Sequence, residues 1–201
     1  MEHRRNAQSL LTFVQDRGIV TSREIETAGF PRIAITRGVR AGELQRLGKG
    51  IYARPDHTFS EWHDLATISR AVPSAIIALI SALAYHEIGT QLAYELWIAL
   101  PEGSREPSYH QKLRTTRFSE PYYSAGIQEH EIEGSTVRIY SAAKTVADCF
   151  RMRSKVGYDV AIEALKEGWR LGKFTLDELN CFSKLNKVDR VMRPYVEAIL
   201  L

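Results

Sequence analysis

Cysteine is scarce in this chain. Its 201 residues hold two, Cys149 and Cys181, with no C-x-x-C pair, so neither a disulfide framework nor a thiolate zinc site is expected. Both thiols are expected reduced and mostly buried. Long apolar runs are missing too: the longest, around Ala75 to Leu83, is too short to cross a bilayer. Charge interrupts the opening MEHRRNAQSLLTFVQDRG every few residues, which argues against a signal peptide. A cytoplasmic protein with no membrane association is expected. There is no internal repeat and no low-complexity tract, and neither sign of charge dominates, the formal net charge being +3. What is present is ordinary globular material, 44% hydrophobic and 25% charged, long enough for two unequal domains.

The charge is unevenly placed. Residues 1–56 carry ten Lys/Arg against six Asp/Glu, and residues 57–201 carry seventeen against eighteen. Positive charge is therefore concentrated at the amino end, which is what counterion release from a phosphate backbone requires. A solvated surface would account for the same charge, so the decision rests on spacing.

The spacing describes a helix-turn-helix. An amphipathic helix is predicted from Arg4 to Arg17, burying Leu10, Leu11, Phe13 and Val14 and stopped by Gly18. Ile19 and Val20 suit a short strand. Thr21 or Ser22 caps a second helix, with Glu24 three residues after Thr21 at capping-box spacing and Ala28-Gly29 at its end. Pro31 opens a third helix in the run PRIAITRGVRAG. There Arg32, Thr36 and Arg40 form an i, i+4, i+8 stripe flanked by Arg37, while Ile35, Gly38, Val39 and Gly42 face away. Ile33 lies among the polar residues, placed either to meet a thymine methyl or to close the edge of the core.

A wing-like hairpin follows in ELQRLGKGIYARP. Leu44 and Leu47 with Ile51 and Tyr52 read as two strands, and Gly48-Lys49-Gly50 supplies the glycines of the reversal with Lys49 at its tip. Helix three fits a major groove, arginine forks suit guanine edges or phosphates, and Lys49 is placed for phosphate or the minor groove. Thr21, Ser22 and the start of the second helix suit phosphate oxygens. A winged helix used for protein contact is the alternative. The expected domains are 1–56, a winged helix-turn-helix that binds DNA, and 57–201.

The second part reads as α+β. A connecting helix is predicted from Ser60 to Ala71 and a sheet over about 75–140, with strands at Ala75 to Leu79, Tyr94 to Leu100 and Leu113 to Phe118. A hairpin from Gln128 to Tyr140 reverses at Gly134-Ser135. Ser81 to Glu87 is short and helical. Helices fill about 141–200: Ala142 to Arg151, Tyr158 to Leu171, Thr175 to Leu185 and Val188 to Leu200. Trp97 and Trp169 belong to the core.

Catalytic chemistry is disfavoured, and no metal or cofactor is expected. His86-Glu87 and Lys144 with Asp148 are the polar clusters with the right chemistry for a phosphodiester enzyme. Lys144 and Asp148 stand at i, i+4 on one helix, as a surface or half-buried ion pair does. His86 sits among Leu83, Ala84 and Tyr85 as a satisfied histidine does. Ser81 and Ser141 read as helix caps. Glu95 lacks the carboxylate-x-lysine element that a restriction-type nuclease strand needs. The basic residues Lys144, Arg151, Arg153 and Lys155, and later Lys187, Arg190 and Arg193, form either a patch for an acidic partner or a solvated face.

The run TSREIETAGFPRIAITRGVRAGELQRLGKGIYARP resembles the winged helix of the AbiEi antitoxins of bacterial type IV toxin-antitoxin and phage abortive-infection systems. ISALAYHEIGTQL, ELWIALPEGSREP, VRIYSAAKTVADCFRMRSKVGYDVAIEALKE and VMRPYVEAI resemble segments of that family's C-terminal domain. The resemblance implies an autorepressor that binds inverted repeats of double-stranded DNA in its own promoter. It further implies an antitoxin that counters a nucleotidyltransferase-like toxin without requiring a direct complex. On this chain the implied DNA-binding residues are Thr21, Ser22, Arg32, Thr36, Arg37, Arg40 and Lys49. The antitoxin role would fall to Lys144, Arg151, Lys155, Arg190 and Arg193. The alternatives are a stand-alone winged-helix regulator with a dimerising or ligand-sensing second domain, and a metal-dependent phosphodiester enzyme using His86, Glu87 or Asp148.

Overall fold

The computed structural model describes residues 2–91, 94–107, 109 and 112–200, with side chains from Leu10 onward. The chain is α+β and divides into two compact units. The first comprises Met1–Ala75, Pro107–Gln111 and Glu129–Val137; the second comprises Ile76–Glu106, Lys112–Gln128 and Arg138–Leu201. This division differs from the expected boundary at residue 56. The reason is α4 (His63–Ala71), whose Leu65, Ala66 and Ile68 are buried and which packs on the small sheet of the first unit. Its apolar periodicity, read as a connector, is that of a helix with a core to join.

The first unit opens with α1 (Glu2–Arg17), β1 (Val20–Thr21), α2 (Ser22–Thr27) and α3 (Arg32–Arg40), followed by β2 (Gln45–Gly48) and β3 (Ile51–Ala53). The strands form an antiparallel sheet in the order β1-β3-β2. Leu10, Val14, Val20, Ile25, Ile35 and Leu44 make the core, with Leu11, Phe13, Phe30, Ala34 and Tyr52 against it. Gly18, at φ +70°, ends α1 and donates its N–H to the Val14 carbonyl at 2.9 Å. Gly38 lets α3 lie on the following loop, because a Cβ there would stand 2.9 Å from a Leu44 methyl. This is a winged helix-turn-helix.

The second unit carries α5 (Leu79–Tyr85) and strands from a five-stranded sheet of β4 (Ile76–Ile77), β5 (Leu96–Pro101), β6 (Leu113–Phe118), β7 (Ile127–Ile132) and β8 (Ser135–Tyr140), in the order β6-β5-β4-β8-β7. The pairing is mixed: β4 runs antiparallel to β5 and parallel to β8, and β5 runs parallel to β6. Five helices follow among the described residues, α6 (Ala142–Arg151), α7 (Arg153–Val156), α8 (Tyr158–Arg170), α9 (Leu176–Leu185) and α10 (Asp189–Leu200). The short α7 was not expected. The apolar run at Ala75 to Leu79 yields only two strand residues, because the helix begins at Leu79 rather than Ser81. Ser81 is accordingly not a cap: its Oγ sits inside α5 and accepts from the Trp97 N–H at 2.9 Å. Ser141 does cap α6, accepting from the Lys144 N–H. Trp97 and Trp169 are half-buried against the core. Cys149 is buried, but Cys181 is exposed on α9, since Leu179 and Ser183 face inward there. Among the described residues no helix is long and apolar enough to cross a membrane.

Candidate nucleic-acid interface

The helix-turn-helix is set by local chemistry. Thr21 caps α2 in a full capping box: its hydroxyl accepts from the Glu24 N–H at 3.2 Å, and the Glu24 carboxylate accepts from the Thr21 N–H at 2.8 Å and from its hydroxyl at 2.9 Å. The Ser22 N–H donates to the Gly50 carbonyl at 2.8 Å, tying α2 to the wing. Thr21 and Ser22 were expected at phosphate oxygens, yet their hydroxyls and these backbone donors are spent inside the protein. Anion binding at a helix start needs free N–H groups, and in this structure these groups of Thr21 and Ser22 hold α2 to its cap and to the wing.

Helix α3 presents what α2 does not. Its inward arc is Ile35 at 3% exposure with Gly38, while Arg32, Ile33, Thr36, Arg37 and Arg40 are all exposed. Val39, expected to face inward, is 38% exposed because it lies at the margin of the arc beside Arg32 rather than above Ile35. Arg32 makes a loose 3.6 Å pair with Glu26. Arg37, Arg40 and Lys49 enter no ion pair among the described residues. The cations of the face are therefore available to a partner, which is what separates a binding surface from a neutralised one. The two arginines of the last turn also complement the negative C-terminal end of the helix dipole, a modest structural role that exposure leaves intact.

Lys49 is exposed at the tip of the β2–β3 hairpin, between Gly48 and Gly50. The register shifts between Arg46 and Gly48, and Arg46 Nε donates to the Gly48 carbonyl at 3.1 Å. Gly50 holds φ +75°, and a Cβ on it would stand 3.3 Å from Ser22 Oγ. The hairpin is thus held at the glycines that flank its tip, and Lys49 between them stays exposed.

Sequence reasoning missed the groups that brace this module. Arg70 of α4 pairs with Glu24 and donates to Ser135 Oγ at 2.9 Å and to the Gly134 carbonyl. Glu133 accepts from the Ser60 N–H at 2.6 Å and hydroxyl at 2.8 Å, and bonds His63 Nδ1 at 2.8 Å and His57 Nε2 at 3.2 Å. Burial alone would push the Glu133 carboxyl up, but the bonds from His63, Ser60 and His57 together hold it below the ordinary glutamate value. These contacts join segments some seventy residues apart, and no local spacing announces them.

The residues expected to serve the antitoxin role do not form one patch. Lys144 is fully buried, with Nζ 2.6 and 2.5 Å from the two Asp148 oxygens and 4.3 Å from the Tyr140 ring centre. The i, i+4 pair was expected at a surface or half-buried. It lies in the core instead, because α6 is buried from Ala142 to Phe150. Arg151 is half-buried, stacked 4.1 Å from the Tyr122 ring centre and donating to the Asn186 carbonyl at 3.2 Å. Lys155, Arg190 and Arg193 are exposed. Of the groups considered for catalysis, His86 Nε2 bonds the Tyr140 carbonyl at 2.7 Å. Asp148 is closed off by Lys144 and Asn186, and Glu95 is paired with Lys112 and Arg114. No group of three or more His, Cys, Asp or Glu among the described residues could hold a metal ion.

Residues 8–55 match the family model described as a transcriptional regulator, AbiEi antitoxin. The match runs from within α1 through the wing and stops short of the segments beyond Pro55. A comparison with curated proteins finds no match.

Proposed function

We propose, from the premise that residues 8–55 are those of an AbiEi-type transcriptional regulator, that this chain binds double-stranded DNA through α3 and the wing. It would recognise inverted repeats in its own promoter, repress that promoter, and act as the antitoxin of a type IV system in the cytoplasm, countering a nucleotidyltransferase-like toxin. The observation that carries the reading is the exposed face of α3, which holds Arg32, Thr36, Arg37 and Arg40, together with Lys49 exposed at the tip of the wing. Arginine at a recognition helix supplies bidentate donors for guanine, and a lysine at a wing tip supplies a phosphate contact. The role is non-enzymatic in this proposal, a reading supported by the internal partners of His86, Glu95 and Asp148. Lys155, Arg190 and Arg193 remain exposed for the antitoxin role; Lys144 does not.

The test is binding of the full chain to its own promoter duplex at fixed salt. Arg32→Ala and Arg37→Ala are expected to weaken specific binding by about 1–3 kcal/mol each where the side chain reads a base. Lys49→Ala should weaken binding to all sequences alike. Unchanged binding by both arginine variants would overturn the assignment. For the antitoxin role, the full chain should restore growth when the neighbouring toxin is induced, and no rescue would overturn it. Fragments cut at residue 56 are unsuitable, because the first unit continues through α4.

A further inference from the structure

We infer that Ile33 is a specificity residue of the recognition helix that reads the 5-methyl group of a thymine. The inference rests on the DNA-binding reading above and adds to it a base preference that the arginines alone would not create.

Ile33 is 54% exposed and stands apart from the buried cluster of its unit, which removes the possibility that it closes the edge of the core. Its place on the helix is informative. With about 100° between successive residues, Arg32, Thr36, Arg40, Ile33 and Arg37 follow one another around the outward face, so Ile33 falls inside the cationic arc with Arg40 and Arg37 on either side. It is also the second residue of α3, and the N-terminal residues of a recognition helix are those that approach base edges.

Nothing local asks for isoleucine here. A β-branched residue is a poorer helix former than alanine, leucine or arginine, and Ile33, more than half exposed and outside the buried cluster, adds little to the core of the free protein. An apolar side chain held between arginines becomes useful when the surface is covered by a polyanion that itself carries an apolar group. In the major groove that group is the thymine methyl, which marks T·A apart from every other pair. The neighbouring arginines would hold the backbone or a guanine and bring the isoleucine against the methyl.

The experiment uses the full chain and duplexes it selects from a random-sequence pool. Each thymine of a selected duplex is replaced singly by deoxyuridine, which removes only the methyl, and affinity is measured at constant salt. At one thymine, or a symmetry-related pair, wild type should bind about fourfold more weakly without the methyl, the scale of one lost methyl burial. Ile33→Ala should bind the thymine duplex about as weakly as wild type binds the deoxyuridine one, and should not distinguish the two. Its salt dependence should match wild type, since no phosphate contact is removed. Ile33→Val, which keeps the branch, should retain the discrimination. Sequence-selective binding in which no thymine methyl matters, or in which Ile33→Ala keeps the same sensitivity, overturns this inference and leaves the DNA-binding reading standing. A selection that yields no preferred sequence overturns both.

Discussion

Arg70 and Glu24 are joined by an ion pair that shares its carboxylate with a helix cap: one oxygen of Glu24 takes Arg70, and the other closes the capping box of α2 on Thr21. The geometry of the helix-turn-helix is thereby linked to α4, a helix outside the segment that carries the family likeness. Arg70→Met should lower stability by about 1–2 kcal/mol, from the loss of charge-assisted bonds at a half-buried site. Glu24→Ala should cost about as much again through its cap. The two losses should not add, because the substitutions remove one shared contact. Denaturant midpoints of the singles and the double measure this; full additivity would mean that the pair is energetically idle.

The turn at Glu133-Gly134 meets the end of α1 closely enough to be tested by one methyl. Gly134 holds φ +68°, and a Cβ there would stand 2.3 Å from the Arg17 carbonyl oxygen, a backbone atom that cannot swing away. Gly172 holds φ +63° with nothing within 4 Å of the same position. Gly172→Ala should therefore cost about 1 kcal/mol, the left-handed penalty alone, and Gly134→Ala about 2–3 kcal/mol. Thermal or urea unfolding of the two variants compares them directly, and equal losses would show that the close approach relaxes without cost.

These contacts mark where the sequence stops being legible. The capping box at Thr21 and Glu24, the outward stripe of α3 and the extents of β6 and α6 follow from spacing, because each is decided by neighbours within a few residues. The recruitment of Glu129–Val137 into the first unit is not of that kind. It depends on Arg70, His57 and His63 finding Glu133 and Gly134 across the chain. Lys144 was misplaced for a related reason: i, i+4 spacing identifies its partner Asp148 but says nothing of depth. Burial of that pair is set by Phe118 and Tyr140, whose rings lie about the ammonium.

Glu133 gives the first unit an acid limit. Its folded pKa lies below the unfolded value, held there by His63, Ser60 and His57 against the opposing effect of burial. A depressed carboxylate contributes stability that is present above the unfolded pKa, about 4.3 for glutamate, and is lost as pH falls through the folded one. The stability difference between wild type and Glu133→Gln should therefore be largest where Glu133 is ionised and shrink on acidification through and below the ordinary glutamate range. Urea midpoints of both proteins across that range test the sign. A gap that widens on acidification would contradict it.

Lys144 and Asp148 should behave as one buried unit rather than as two surface charges. Desolvation pushes the lysine down and the aspartate up, and their mutual attraction opposes both. Asn186 Nδ2 adds a 2.8 Å bond to Asp148, and the Tyr140 and Phe118 rings lie near the ammonium. Lys144→Met leaves a carboxylate in the core with only the amide of Asn186, and should cost about 3–5 kcal/mol. Lys144→Met with Asp148→Leu removes both charges at similar volume and should recover most of that loss. If instead the single substitution left unfolding unchanged, the pair would not be closed from water in solution. In that case Lys144 would return to the exposed set with Lys155, Arg190 and Arg193, and the surface proposed for the antitoxin role would have to be drawn to include α6.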